Sequence, residues 1–531
     1  MTAITTTPLG SRLDTALGRL TMYRLVLWVL AVLAGYSLLL NVLGWLTFGL
    51  PEMLAHLALC LGLTYASSQG LAALFHVRPH TESSLITGLL LYFLFWPSQL
   101  TQGLQVAEIG GVALACVLAS ASKYALAWRG RHIFNPAAAG AFLAGLTGLN
   151  IATWWAATPS MLWLVLPGVL LVLYRTRKVT MAAIFTVVAV SIVAADLLRA
   201  GLELPEALWQ TFAQRPVLFF VGFMLTEPLT LPPRRWQQLA LAAVVGVLFA
   251  VPYNLGFVAN SPELALLVGN VLAFAAGQRG AVRLSFEGSR PLTPTTTEFS
   301  FRPERPVRFT PGQALELHLP PDKARENRTR KGDAMGDGKG IRRVFSLTST
   351  PGAPLLTIGV GTAEPVSSAK RALLALAPGD GLTATSVSGD FILPRDPATP
   401  VLLIAAGIGI TPYMGQLAGA PDAEPDETSA LDRDVVLLYL AKNPEELAYA
   451  EELQRSGARI LARLADGSAP PAFMHNAGAG RIDAAALKEL VPDIGGREVF
   501  VSGSPASVRS LRAAARGAGA RRVHVDSFTG Y

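Results

Sequence analysis

Leu403-Ile-Ala-Ala-Gly-Ile-Gly-Ile-Thr-Pro412 sets the architecture of the C-terminal half of this chain. Its continuous apolar run reads as a strand buried on both faces, the habit of a parallel sheet. Two glycines then make a turn, and Thr411 and Pro412 open a helix. Gly407 and Gly409 let backbone approach a dinucleotide pyrophosphate, and Thr411 can hydrogen-bond it near the helix start. A bare Gly-x-Gly is common in proteins. The same pair after such a strand and before Ile-Thr-Pro is specific.

Outward from that stretch, strands alternate with helical segments over 398–531, while 290–397 holds short β-rich segments with Pro/Gly turns. This predicts an antiparallel β-barrel domain at 290–397 followed by a doubly wound α/β domain at 398–531. The run 323–342, rich in Lys, Arg, Asp and Gly, reads as a loop interrupting the barrel, either a solvated insert or a dock for a membrane surface. Arg343-Val-Phe-Ser346 starts a β-rich segment. There an arginine can neutralise a pyrophosphate, Phe345 can flank a flavin and the Ser346 hydroxyl can reach its N5. Ser367 and Ser368 open a helix, where phosphate binding and ordinary N-capping are equally open readings. Val499-Phe-Val-Ser-Gly-Ser-Pro505 reads as strand, turn and helix, and the chain closes on Asp526-Ser-Phe-Thr-Gly-Tyr531.

In that order these motifs resemble the ferredoxin–NADP reductase superfamily. The resemblance implies FAD on Arg343, Phe345, Ser346, Ser367 and Ser368, and NADH or NADPH on Gly407, Gly409, Thr411, Pro412 and Gly503. It implies that Phe528 or Tyr531 covers the flavin ring, and that Ser346, Ser502 and Tyr531 act catalytically in hydride transfer. Ser502 stands where many relatives have cysteine, which leaves no thiol for that role. Lys442 and Asn443 can meet a 2′-phosphate, yet Glu445 and Glu446 adjoin them, so NADH against NADPH stays open.

The other half has a different solvent. Residues 1–283 hold 16 Lys/Arg against 9 Asp/Glu, and 284–531 hold 28 of each, so the whole net charge of +7 sits in the first part. Nucleic-acid binding has no support in that distribution. Apolar stretches fall at about 25–46, 53–75, 83–97, 105–127, 134–149, 159–174, 179–198, 216–231, 237–252 and 263–278. They predict a polytopic helical membrane domain of about ten spans at 22–283, after a cytoplasmic segment at 1–21. With the N-terminus inside, cytoplasmic segments collect 14 Lys/Arg and outer loops 2, as the positive-inside rule demands. The expected location is the cell (inner) membrane, with the C-terminal module cytoplasmic.

Ser122-Lys-Tyr-Ala-Leu-Ala-Trp-Arg-Gly-Arg-His-Ile-Phe-Asn-Pro136 places Lys123, Arg129, Arg131, His132 and Asn135 between two apolar helices. Charge at membrane depth costs roughly 2.5–3.5 kcal/mol per Lys or Arg on insertion scales. Phe223-Met-Leu-Thr-Glu-Pro-Leu-Thr-Leu-Pro-Pro233 sets Glu227 in an apolar helix ahead of Pro228. An intramembrane carboxylate reads either as function or as a helix-holding partner for Lys123 or Arg129. Glu108 and Asp196 read as the other carboxylates away from loops.

These two motifs resemble the D subunit of Rnf complexes and the B subunit of the sodium-pumping NADH:quinone oxidoreductase, which carry electrons on flavin. The resemblance covers about 20–280. Those subunits hold FMN covalently on a threonine in an outer-loop Ser-Gly-Ala-Thr-like motif, which is absent here, and the corresponding loop at about 200–214 is short. Covalent flavin is therefore not expected. A non-covalent FMN or riboflavin stays open, with Lys123, Arg129, Asn135, Thr226 and Glu227 as its candidates.

Other carriers fare worse. The two cysteines, Cys60 and Cys116, are too few for an iron–sulfur cluster and read as small core residues. Among His56, His76, His80 and His132 no helix carries two histidines a leaflet apart, so stacked haems cannot be built, and no metal site is expected. The sequence thus points to hydride transfer from NAD(P)H to FAD and onward passage of electrons to a quinone or an extracytoplasmic flavoprotein. A redox-driven ion pump or transporter, and a reductase on a cofactor-free membrane scaffold, are the alternatives.

Overall fold

The computed structural model describes residues 22–75, 81–99, 105–128, 131–254, 256, 258–277, 281–319, 342–364, 366–418 and 433–528, without the side chains of Arg342, Ser368 and Ser386. Two compact units divide the chain, Met1–Gly280 and Ala281–Tyr531.

The first unit begins with α1 (Met22–Val42), α2 (Leu50–Leu74), α3 (Thr81–Leu94) and α4 (Val106–Ala125). A two-residue hairpin, β1 (Ala127–Trp128) and β2 (Arg131–His132), leads into α5 (Pro136–Gly145). Then follow α6 (Pro159–Thr176), α7 (Val179–Arg199), α8 (Leu204–Gln214), α9 (Val217–Phe220), α10 (Arg235–Ala250) and α11 (Pro262–Ala275). Five of these, α1, α2, α4, α6 and α7, are long and apolar enough to cross a membrane. At 1.5 Å per residue the shortest reaches about 27 Å, close to the ~30 Å of hydrocarbon. Four more apolar helices, α3, α5, α10 and α11, are shorter. Leaving α8 aside, a pattern of two long helices, a short or broken one and two more runs twice, over α1–α5 and α6–α11.

Local chemistry explains the short pieces. Asn135 caps α5 by accepting from the Ala138 amide at 3.1 Å, and Pro136 takes the first helical position. A Cβ on Gly140 would overlap the Ala115 carbonyl oxygen, so α4 and α5 meet at backbone contact. The stretch expected as a helix at 216–231 is broken. After α9 comes a π-helical turn (Val221–Leu225), then Glu227 at φ −62, ψ 116, then a 3-10 turn (Pro228–Thr230). Pro228 supplies no N–H and pushes the residue before it out of the α region. The region 200–214 is no short loop either, since α8 fills most of it and buries Ala207, Thr211 and Ala213. Glu52 and Glu263 are further buried carboxylates, each in the first turn of a helix opened by a proline. Glu52 sits one residue before the apolar stretch expected from 53, and Glu263 is the first residue of that expected from 263.

The second unit holds two six-stranded sheets. The antiparallel one comprises β3 (Val282–Thr293), β4 (Thr296–Pro303), β5 (Ala314–His318), β6 (Arg342–Ser346), β7 (Leu356–Gly361) and β8 (Gly381–Ser388), in the order β6-β5-β8-β3-β4-β7. A Leu347–Ile358 bridge joins its two edges into a barrel around Phe286, Phe299, Phe301, Leu315 and Leu317. Between β7 and β8 lies α12 (Ser368–Leu374).

The parallel sheet comprises β9 (Val401–Ala406), β10 (Val435–Ala441), β11 (Arg459–Leu464), β12 (His475–Ala479), β13 (Glu498–Gly503) and β14 (Arg522–Ser527). Its helices are α13 (Thr411–Leu417), α14 (Ala450–Arg455), α15 (Ala484–Leu490) and α16 (Pro505–Gly517). The order β12-β11-β10-β9-β13-β14 reverses between β9 and β13. Val401, Leu403 and Ala405 enter one core layer, and Leu402 and Ile404 the other. That two-sided burial is why β9 reads as unbroken hydrophobicity.

Candidate functional site

In open parallel sheets, ligands bind beyond the carboxyl ends of the strands where strand order reverses. Here those ends belong to β9 and β13, with Ala405 paired to Ser502. Gly407 has φ +55, and a Cβ there would meet nothing within 4 Å, so its outer side is open. Gly409 does something different. A Cβ on it would overlap the Ser502 carbonyl oxygen, so the turn lies flat on the end of β13. Thr411 is buried and donates to the Ile408 carbonyl at 3.0 Å, bracing the turn. Pro412 and Tyr413 follow, both buried in α13. The Tyr413 hydroxyl lies 3.2 Å from the Ile404 carbonyl and 3.0 Å from that of Phe500, tying α13 to both strands. Burial, and then the Asp526 carboxylate, push its phenol well above the ordinary range. Tyr413 escaped the sequence reading, although it directly follows the Thr-Pro pair.

Ser502 is fully buried, and its Oγ has no hydrogen-bond partner among the described residues. Such an orphan costs about 1–3 kcal/mol unless something else satisfies it. Gly503, at φ +151, accepts from the Phe528 amide at 3.0 Å, which brings the half-buried Phe528 to the end of β13. Ser504 caps α16 through the Ser507 amide at 3.2 Å. Tyr531 lies outside the described residues.

Of the barrel motif, Arg343 and Phe345 share one face of β6 and are half-buried, with Phe345 against the barrel core. Ser346 is on the other face and buried. The chain just beyond it packs on α13, because a Cβ on Gly415 would stand 2.9 Å from the Ser349 carbonyl oxygen and 3.6 Å from that of Leu347. The Arg343–Ser346 and Gly407–Pro412 motifs are thereby brought together. Ser367 caps α12, accepting from the Lys370 amide at 3.4 Å, and Ser368 is the first residue of that seven-residue helix.

A polar seam that the sequence did not announce joins barrel and sheet. Arg290 bridges Glu298 at 3.1 Å and Glu452 at 2.7 Å, and the Glu452 bond chiefly raises its pKa. Thr293 and Thr295 both donate to Glu446. Tyr449 adopts a left-handed backbone, φ +62, and its hydroxyl and Thr411 fill the space beside Gly359. Nothing in the local pattern around Tyr449 marks a strained residue.

In the first unit, Asn135, Thr226 and Glu227 line one open recess with Tyr23, Ser83 and Phe223. Glu227 is held by His132 (3.1 Å to Nε2) and by the Asn135 amide nitrogen (2.9 Å). The Asn135 backbone donates to Asn270 Oδ1 at 2.8 Å. Arg131 donates to the Leu229 and Pro228 carbonyls at 2.7 and 3.2 Å, satisfying oxygens freed by the break. Lys123 binds Ser83 through its carbonyl (3.0 Å) and hydroxyl (3.2 Å), and Thr226 donates to the Gly222 carbonyl at 3.3 Å. Arg129 lies outside the described residues. Asn270 was missed and the pairing of His132 with Glu227 was not foreseen, since only tertiary contacts across about a hundred residues reveal them.

No family model matches the chain. It is similar to the stachydrine N-demethylase reductase subunit Stc4 of Rhizobium meliloti, 27% identical over 247 residues, covering 45% of this chain and 64% of that protein. It is also similar to ferredoxin–NADP reductase B of Sorangium cellulosum, 28% identical over 256 residues, covering 45% of this chain and 94% of that protein. Among solved structures, the Amycolatopsis cytochrome P450 reductase GcoB is 26% identical over 47% of this chain and 69% of that one, at a TM-score of 0.36. The chain spans roughly half to two thirds of the first curated relatives.

Proposed function

We propose that this chain is a membrane-embedded, FAD-dependent NAD(P)H oxidoreductase. The carrying observation is the turn after β9, where Gly407 leaves its outer side open and Gly409 lies against the end of β13 at the sheet's reversal point. The residues fit a dinucleotide there, and the reductase names of the relatives support the reading. FAD, when bound, accepts a hydride from a pyridine nucleotide and gives its electrons up singly. Arg343 supplies charge for a pyrophosphate, Ser346 a hydroxyl, and Ser367 and Ser368 the start of α12. Gly407, Gly409, Thr411, Pro412 and Gly503 shape the nucleotide turn, Ser502 orients the nicotinamide, and Phe528 or Tyr531 excludes water.

The first unit is a membrane domain of the Rnf D/sodium-pump B type, making ten passes with α3, α5, α9, α10 and α11 as its shorter elements. The surplus of positive charge in alternate connections supports a cytoplasmic reductase module in the inner membrane. Lys123, Arg129, Asn135, Thr226 and Glu227 hold a non-covalent FMN or riboflavin at the recess, and electrons leave for a quinone or an extracytoplasmic flavoprotein. A second reading draws on the relatives' names and on Glu227, whose two oxygens are already occupied. It makes the acceptor a soluble redox protein and the membrane unit a cofactor-free scaffold.

Stopped-flow mixing of the purified protein with NADH and with NADPH tests the first step. Bleaching of the flavin with at least one nucleotide is expected, and its absence with both overturns the assignment. Acid extraction then separates the two readings. FAD alone, at one per chain, supports the scaffold, and a second flavin supports the relay.

A further inference from the structure

Along α2, buried residues recur every four positions, and from Glu52 to Ser68 that row is polar or carries a thiol, with Met53 and Ala72 the other buried residues of the helix. Glu52, His56, Cys60, Thr64 and Ser68 are each at most 8% exposed. At 1.5 Å per residue the row covers about 24 Å, most of a bilayer's ~30 Å hydrocarbon core. Leu54, Tyr65 and Leu74 of the same helix are exposed instead. Polar groups taken from water cost free energy unless they are bonded, and inside membrane helices they mark ion and proton routes.

Neighbouring helices extend the row. His56 Nε2 lies 3.9 Å from Cys60 Sγ, and its ring packs on Tyr92, whose hydroxyl is 2.9 Å from that of Ser37. The Cys116 thiol of α4 sits beside Cys60 and Thr64. Ser67 and Ser120 hydroxyls are 2.8 Å apart, as are those of Ser68 and Ser84, and Tyr124 Oη is 3.2 Å from Ser68 Oγ. Lys123, adjacent to Tyr124, holds Ser83, which lines the Glu227 recess.

We infer that this row is a proton path joining the Glu52 end of α2 to the Glu227 recess. The inference rests on the first unit spanning a membrane. Imidazole and hydroxyl groups both give and take protons, so each hop leaves the chain chemically unchanged. One helical turn separates successive members, about 5–6 Å, which a single bridging water spans.

The test reconstitutes the full chain in phosphatidylcholine vesicles containing pyranine and imposes a potassium diffusion potential with valinomycin. Measurements are made on the protein as purified and after dithionite reduction. Proton influx above that of protein-free vesicles is expected in at least one state, with loss to the protein-free rate in Thr64→Val, a near-isosteric change, and in His56→Leu. Flavin bleaching by NAD(P)H should be unchanged in both variants, so failure of the path and failure of the reductase reading are told apart. Wild-type influx equal to protein-free vesicles in both states overturns the inference. So do variants that conduct like wild type, and radiolabelled sodium uptake without a pyranine response.

Discussion

The two units build their sites in opposite ways. In the second, Gly407, Gly409 and Thr411 fall within five residues, and the shape of one turn against one strand end does the work. In the first, Glu227 meets His132 and Asn135, 95 and 92 positions away, and Asn135 meets Asn270. One site depends on backbone shape. The other depends on a mutual hydrogen-bond set that exists only when distant helices pack. Backbone sites should be intolerant of added volume, and bonded sites of lost partners.

Gly409→Val applies added volume where it hurts most. Overpacking against the Ser502 carbonyl costs about 3 kcal/mol, which is about a hundredfold in an equilibrium. The rate of flavin bleaching by NAD(P)H should fall by that order, while thermal unfolding of the first unit in detergent stays put. A bleaching rate like wild type would blur the contrast between the units.

Glu227→Ala removes a partner instead. It leaves the His132 ring and the Asn135 amide short of one bond each, at about 1–3 kcal/mol per group. A lower melting temperature of the detergent-solubilised protein is expected, with unaltered NAD(P)H–ferricyanide turnover. Glu227→Gln, which keeps one acceptor oxygen, should recover part of the loss.

Ser502→Ala sharpens the first site. Removing an unsatisfied buried hydroxyl should leave thermal stability unchanged or raise it by up to about 1 kcal/mol, whereas nucleotide binding should weaken by about 1 kcal/mol. Calorimetry with and without nucleotide reads both. A loss of stability in the nucleotide-free protein would mean that the hydroxyl has a partner inside the fold.

The smallest effect is electrostatic. The Arg497 guanidinium, 2.8 Å from Asp493, holds that carboxyl below the usual range of about 3.8. A carboxylate depressed in the folded state stabilises above its unfolded pKa and loses that contribution as pH falls through the folded value. Asp493 is 61% exposed, so solvent screening keeps the gain below about 1 kcal/mol. Asp493→Asn should lower the melting temperature slightly at neutral pH, and the difference should shrink as pH falls below the usual carboxylate range.

The same contrast explains what could be read in advance. The strand–Gly-x-Gly–helix unit, the barrel before it and the apolar helices all follow from short-range patterning. Asn135, Thr226 and Glu227 were found because polar groups stand out in apolar surroundings, and they do line one recess. The partners of Glu227 were not legible, because polarity shows that a group needs a bond and not which group supplies it. The break at Glu227 was half legible. Pro228 announced it, but the π-helical turn at Val221–Leu225 depends on packing that no local pattern encodes. The seam at Arg290, Glu298 and Tyr449 was invisible for the same reason.

The polypeptide runs unbroken from α11 of the first unit to β3 of the second. Every ribosome that finishes one unit finishes the other, so their ratio is locked at one to one whatever the level of synthesis. Dilution, which separates free partners, leaves a tethered pair at constant effective concentration. On the proposed relay, electron exchange between the units should therefore follow first-order kinetics at any protein concentration.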